Sequence, residues 1–341
     1  LTKVPHRLYI ARDAKLHTLH NKTSFWGITM QIRTRPLEER DLAETDRIIR
    51  FAFGTFLNLP NPMTMFGDSD FAYSRFRAAP DSAFAAEADG RLVGSNFVTQ
   101  WGSFGFFGPL TVEPQLWDQK VAQRLLEPTV ELFEKWGCRD TGLFTFAHSP
   151  KHIALYQKFD YWPRFLTSMM SKQVAPSTQH TYTRFSELPL AQKEEALAAC
   201  RETTDAIYDG LDVSREIRAV DSQRLGDTIL LLDGSKISAF GVCHVGPKTE
   251  AEGNACYVKF GAARPGPSTE REFGRLLTAC EAYAATQGAG RLTAGVNMSR
   301  HEAYKNMILS GLSIDMMGVA MQKPNTPAFN RPGVYVLDDW R

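Results

Sequence analysis

The chain has 341 residues, 43% apolar and 23% charged, with a formal net charge of +1. That length exceeds one ordinary core and suits two domains of a folded globular protein. The balanced charge gives no electrostatic footprint for nucleic acid or an anionic membrane, and no apolar run reaches the ~18–20 residues that span a bilayer.

Residues 1–29 are basic: Lys3, Arg7, Arg12, Lys15 and Lys22 stand against one acid, Asp13. No apolar core of a secretory signal follows. The segment reads as an extension ahead of a start at Met30, with a transit-like segment as the alternative. From Met30, "QIRTRPL" predicts a strand. Asp41 is placed to cap a helix whose Ile48, Ile49, Phe51, Ala52 and Phe56 form an apolar stripe. "LNLPNPMTMFGDSD" reads as a loop and "FAYSRFRAA" as a short helix. Asp89-Gly90 predicts a hairpin turn between "SAFAAEA" and "RLVGSNFVTQWGSF". "GFFGPLTV" predicts a central strand, with Pro109 removing a ladder donor near its start. A long helix ends near Gly137, and Pro128 should kink or divide it. Strand "GLFTFA", helix "KHIALYQKF" and a closing strand "RFLTSMMSKQV" complete the run.

"APSTQH", residues 175–180, breaks the pattern and reads as a linker. The same order then returns: a helix "LAQKEEALAACRETTDAI", a hairpin turned at Asp233-Gly234, strand "NACYVKFGAA", helix "EREFGRLLTACEAYAATQG", strand "RLTAGVN", helix "RHEAYKNMILSG" and strand "LSIDMMGVAMQK". The repeat is too long for a solenoid unit and reads as two copies of one α/β domain. The expected domains are 30–174 and 181–325, with an irregular, proline-bearing tail at 326–341 packed across a domain. Cys138, Cys200, Cys243, Cys256 and Cys280 are odd in number, scattered and without a CxxC pair. They read as reduced thiols of a cytosolic protein, neither a disulfide frame nor a zinc site.

Two segments of the first copy carry a family likeness. "LTVEPQLWDQKVAQRLL" resembles V-x-P-x-x-[RQ]-x-x-G-x-[GA]-x-x-L-L of the GNAT acyl-CoA N-acyltransferases through Val112, Pro114, Ala122, Leu125 and Leu126. "SPKHIALYQKFDY" is similar to their N-x-x-A-x-x-L-Y-x-x-x-G-F through Leu155 and Tyr156. The resemblance covers roughly residues 30–325. It implies a mixed α/β (α+β) fold: two tandem GNAT-like domains, each a mostly antiparallel sheet with a splayed central strand pair flanked by helices. The chain departs from the pattern at Trp117 (family Arg or Gln), Lys120 (Gly), Ser149 (Asn) and Asp160 (Gly), which alters the expected phosphate grip.

The implied activity is direct transfer of an acetyl group from acetyl-CoA to the primary amine of a small molecule, through a tetrahedral intermediate, in the first copy and without a metal. The loop Trp117, Asp118, Gln119, Lys120, Val121, Ala122 and Gln123 would hold the pyrophosphate of coenzyme A at a helix start, with Ser149 nearby. The ammonium of Lys120 either pairs with phosphate or is a solvated lysine. Leu110, Thr111 and Val112 would present backbone N–H groups to the thioester carbonyl. For Tyr156 two readings stand. Ile153, Tyr156 and Phe159 recur at core-filling helical spacing, whereas the family position makes its phenol the acid for the leaving thiolate. Glu113 is the expected carboxylate base; Glu87, His148 and His152 are weaker candidates. In the second copy Pro265 and Pro267 interrupt the loop, Phe273 stands for Ala122 and Met307 for Tyr156, so that copy is expected to be non-catalytic. Alternatives are a degenerate pair that senses acyl-CoA without turnover, or an acyltransferase for a thiol precursor or aminoacyl acceptor. The aromatic stretches "LNLPNPMTMF" and "QWGSFGFFG" hint at a partly apolar acceptor. Oligomeric state is open, a homodimer among the options.

Overall fold

The computed structural model describes residues 31–175, 182–234 and 236–341. The expected extension 1–29, and all of the expected linker but Ala175, lie outside the described residues. In the first copy, β1 (Ile32–Pro36) pairs with β2 (Ala83–Ala88), and β2 with β3 (Arg91–Trp101). Asp89 and Gly90 both take positive φ, 51° and 79°, as a type I′ hairpin requires. Helices α1 (Leu42–Phe56) and α2 (Ala72–Ala78) lie between β1 and β2. Of the predicted stripe, Ile48, Ile49 and Ala52 are buried, together with Leu42, while Phe51 and Phe56 are half-buried. Asp41 stands at the cap position, but its carboxylate turns back. It accepts the Glu38 amide at 2.9 Å and pairs with Arg35 at 2.6 Å.

The central strand is broken. β4 (Phe104–Phe107) pairs in parallel with β6 (Asp140–Thr145) only from Phe104 to Phe106. Past Gly108-Pro109 the chain continues as β5 (Thr111–Val112), which among the described residues pairs with β3 alone. A proline without an N–H suits such a break. Helix α3 (Val121–Trp136) runs undivided through Pro128 to Gly137 at φ 67°. Leu125 and Leu126 before the proline and Phe133 after it are all buried, so packing holds both halves in one helix. Helix α4 (Pro150–Gln157) and β7 (Trp162–Gln173) end the first copy.

The second copy contains β8 (Thr183–Arg184), α5 (Leu190–Ile207), α6 (Ser214–Gln223), β9 (Gly226–Asp233), β10 (Lys236–Val245), β11 (Ala255–Ala263), α7 (Thr269–Thr286), β12 (Arg291–Asn297), α8 (His301–Leu309) and β13 (Ser313–Lys323). Helix α6 is not foreseen from the sequence: it is short and mostly polar, and it buries Glu216, Ile217, Ala219 and Val220. The tail adds β14 (Val336–Leu337).

All these strands join one sheet, in the order β1-β2-β3-β4-β6-β13-β7-β12-β11-β10-β9-β8, with β5 on β3 and β14 on β11. The copies exchange their last strands. β6 pairs antiparallel with β13, β12 pairs antiparallel with β7, and β7 and β13 pair with each other. The segment "RFLTSMMSKQV" therefore closes the other copy's sheet and not its own. Trp101, Phe104 and Phe106 share one core with Phe240, Phe260, Phe329 and Trp340. Burying each such ring contributes roughly 1.5–3 kcal/mol, enough to bind the copies into one unit from Ile32 to Arg341.

Candidate active site

Where β5 parts from β6, a cavity of ≈ 910 Å³ opens between them. Successive N–H groups of a strand alternate in direction. The Glu113 amide donates to Val93 O on β3 at 2.8 Å, so the Val112 amide points to the opposite edge, the cavity side. Trp117 Nε1 donates to Val112 O at 2.9 Å and ties the following loop to β5. In that loop Asp118 and Lys120 adopt left-handed φ of 67° and 62°. Glycine takes this conformation freely, whereas other residues spend roughly 1–2 kcal/mol on it. Lys120 thus holds a backbone conformation that glycine would adopt freely.

Among the described residues no side chain caps α3, and its first amide with a backbone acceptor is that of Arg124, to Lys120 O at 3.2 Å. The amides of Val121, Ala122 and Gln123 are left as the orphan donors of a helix start. Lys151 of α4 leans over the loop, with Nζ 5.5 Å from the Trp117 ring centroid and paired with Asp118 at 2.9 Å. Lys120, Lys151 and Lys158 all line the cavity, so anion-binding amides and cations share one mouth, the donor set a pyrophosphate requires. Every residue expected to contact the cofactor lines the cavity except Thr111 and Gln119. Thr111 is buried on the other face, its Oγ1 3.4 Å from Ser95 Oγ.

Tyr156 is a core residue that also borders the cavity. Its ring packs 5.8 Å from that of Phe107 in a core cluster, and the residue lines the cavity. Burial raises the phenol well above its ordinary value, so it is a neutral donor at physiological pH. Ser149 caps α4, accepting the His152 amide at 3.4 Å. His152 also lines the cavity, its ring centroid 4.8 Å from Phe56 and 6.5 Å from Phe146. His148 packs on the same two rings but does not line the cavity.

Glu113 is not brought to the cavity. It is buried, with Oε1 held by Arg47 and Oε2 by Arg91 at 2.8 Å. Both of its oxygens are taken up by guanidinium groups, and neither is turned toward the cavity. Glu87 is likewise held by Arg35, at 2.7 and 2.9 Å. No sequence pattern marks Lys151 or the far wall. Glu250 of the second copy lines the cavity and accepts Arg75 of α2 at 2.9 and 2.8 Å and Lys259 at 2.7 Å. Arg75 also donates to Gly108 O, pinning the break in the central strand.

Residues 51–161 match the Acetyltransferase (GNAT) family. This segment is a GNAT acetyltransferase domain. A solved protein of Pyrococcus horikoshii assigned as an acetyltransferase is similar over 93% of this chain and 96% of its own, at 13% identity and a TM-score of 0.63. A GCN5-related N-acetyltransferase of Sphaerobacter thermophilus covers 86% and 95%, at 14% identity and 0.53. A tandem GNAT protein from the clavulanic acid biosynthesis pathway covers 86% and 98%, at 11% identity and 0.52. At these identities the likeness is one of fold, and it is that of two tandem GNAT-like domains. No curated protein matches by sequence. Among the described residues no helix is long and apolar enough to cross a membrane, and no group of three or more His, Cys, Asp or Glu side chains is placed to hold a metal.

The second GNAT-like copy is built differently at each of these points. Its first parallel pair, Ala255 with Arg291, answers to Phe104 with Asp140. Counted from there, Gly261 corresponds to Leu110, Arg300 to Ser149 and Met307 to Tyr156. β11 runs unbroken, and β14 pairs Leu337 with Gly261 and Val336 with Ala262. Arg300, fully buried, donates to Asp338 Oδ1 at 2.7 Å and to Val336 O at 2.6 Å. Gly295 makes room, since a Cβ there would lie 2.3 Å from that of Asp339. Phe273 packs 5.4 Å from Tyr335, and Met307 is sealed in the core. The crevice that the first copy keeps open is filled here by the chain's own tail.

Proposed function

We propose that the chain is an acetyl-CoA-dependent N-acetyltransferase acting on the primary amine of a small molecule, with residues 30–174 as the catalytic copy and 181–325 as a non-catalytic partner. One observation carries this reading: of the two corresponding crevices, the first stays open and leads from the unpaired amides of α3 to the phenol of Tyr156, while the second holds β14. Acetyl-CoA supplies the acyl group, activated as a thioester. The amides of Val121, Ala122 and Gln123 hold the pyrophosphate, on a loop whose left-handed turn is made at Lys120. The Val112 amide polarises the carbonyl, and Tyr156 delivers its proton to sulfur as the C–S bond breaks. Glu113 serves as a clamp between α1 and β3, not as the base. Phe53, Phe56, Phe66 and Phe146 line the cavity, which supports an acceptor with an apolar body. The five free cysteines suit a cytoplasmic location.

Calorimetry with coenzyme A on the full chain should find one equivalent bound, and acetyl-CoA with a panel of amines should release thiol. Two bound equivalents would contradict the filled second crevice. Binding without thiol release from any amine would replace the enzyme with an acyl-CoA sensor.

A further inference from the structure

We propose that His152 is the group that takes the proton from the acceptor's ammonium; this rests on the acetyltransferase reading above. An amine must lose a proton before it can attack a thioester, and the expected base, Glu113, is locked outside the cavity by Arg47 and Arg91. The remaining carboxylates of the cavity are paired with cations or exposed to solvent. Asp118 pairs with Lys151, Asp315 with Arg291 at 2.9 Å, and Glu250 with Arg75 and Lys259. Glu252 stands on an exposed loop of the second copy. His152 lies one turn before Tyr156 on α4, and i,i+4 residues share a helix face with Cβ atoms about 5–6 Å apart. Both line the cavity. Neither imidazole nitrogen has a hydrogen-bond partner among the described residues, and neither is sealed from solvent. Phe56 of α1 and Phe146 beyond β6 bring no charge to the ring. Burial lowers its affinity for a proton, and Lys151 and His148, the charged and titratable groups acting on it, push the same way. The imidazole is therefore neutral at pH 7 and ready to accept. The second copy carries Ala303 at this place, beside Met307.

The protons balance. His152 removes one proton from R–NH3+ and passes it to solvent. The free amine forms the C–N bond, the C–S bond breaks, and Tyr156 protonates the thiolate. The second proton, lost from nitrogen as the amide forms, restores the phenol. One proton is released per turnover.

Two measurements test the assignment on the full chain. Diethylpyrocarbonate at pH 7, with peptide mapping, should modify His152, and coenzyme A should slow that modification. Thiol release from acetyl-CoA should fall on the acid side as His152 becomes protonated. His152→Gln should lose about 100-fold in kcat/KM with 2-phenylethylamine and flatten that acid limb. With aniline, already neutral, the loss should shrink to a few-fold. His152→Ala should regain rate with added imidazole, which a purely structural role would not allow. Equal melting temperature and coenzyme A affinity of the variants verify their fold. An active wild type whose His152→Gln variant keeps its rate and acid limb overturns the proposal, as does a His152 that coenzyme A does not protect. If the wild type releases no thiol with any amine, the acetyltransferase reading fails instead, and the labelling still judges where His152 stands.

Discussion

At one position the helix after the fifth main strand carries Tyr156 in the first copy and Met307 in the second. One lines an open cavity and the other is sealed in hydrocarbon. At the helix start before them, Ser149 caps with a hydroxyl while Arg300 grips β14. On the central strand, Gly108-Pro109 interrupts pairing in the first copy, while β11 runs on and accepts a new partner. Each difference is small, and all point one way. A crevice in a sheet is an unsatisfied edge. The chain either reserves that edge for a ligand or spends it on itself.

The sharpest break of this comparison comes from the paired helix position. Tyr156→Phe should lower kcat by about 10²–10⁴-fold while leaving coenzyme A affinity and melting temperature in place. Met307→Ala should cost about 2–5 kcal/mol of stability by denaturant titration, yet leave turnover per folded molecule alone. A Tyr156→Phe enzyme of full speed would make the two positions alike. Next is the cap. Arg300→Met strands the buried Asp338 carboxylate and should cost about 3–5 kcal/mol. Ser149→Ala removes one long hydrogen bond and should cost about 1 kcal/mol. Equal penalties would mean that the tail is not clamped. The smallest effect belongs to the loop. Lys120→Gly relieves roughly 1–2 kcal/mol of left-handed strain, and the freer unfolded chain takes back about 0.4–1. Melting should rise slightly, and coenzyme A should bind no more weakly. A marked loss of affinity would show that the ammonium, not the loop shape, holds the phosphate.

Local chemistry made much of this visible in advance. Asp89-Gly90 could be little but a hairpin, and Pro109 showed a missing ladder donor on the central strand, though not that the pairing breaks there. Tyr156 could be placed on a helix, where its ring both packs in the core and borders the cavity. What stayed hidden was everything that depends on partners distant in the chain. Periodicity shows that "RFLTSMMSKQV" is a strand but not whose sheet it joins. The tail has two strand residues and no pattern, because its pairing comes from β11 and not from its own propensity. Glu113 looked like a free carboxylate because Arg47 and Arg91 are brought to it only by folding. His152 was ambiguous for the same reason, since only the fold removes its competitors.

The exchange of β7 and β13 has a mechanical consequence. Each half holds the other by a strand threaded into the middle of its sheet, as two hooks hold. Pulling one half open strips a neighbour from the other, so heating should produce a single cooperative melt, not two. A protease nick between the halves would leave them gripping each other without a covalent bond.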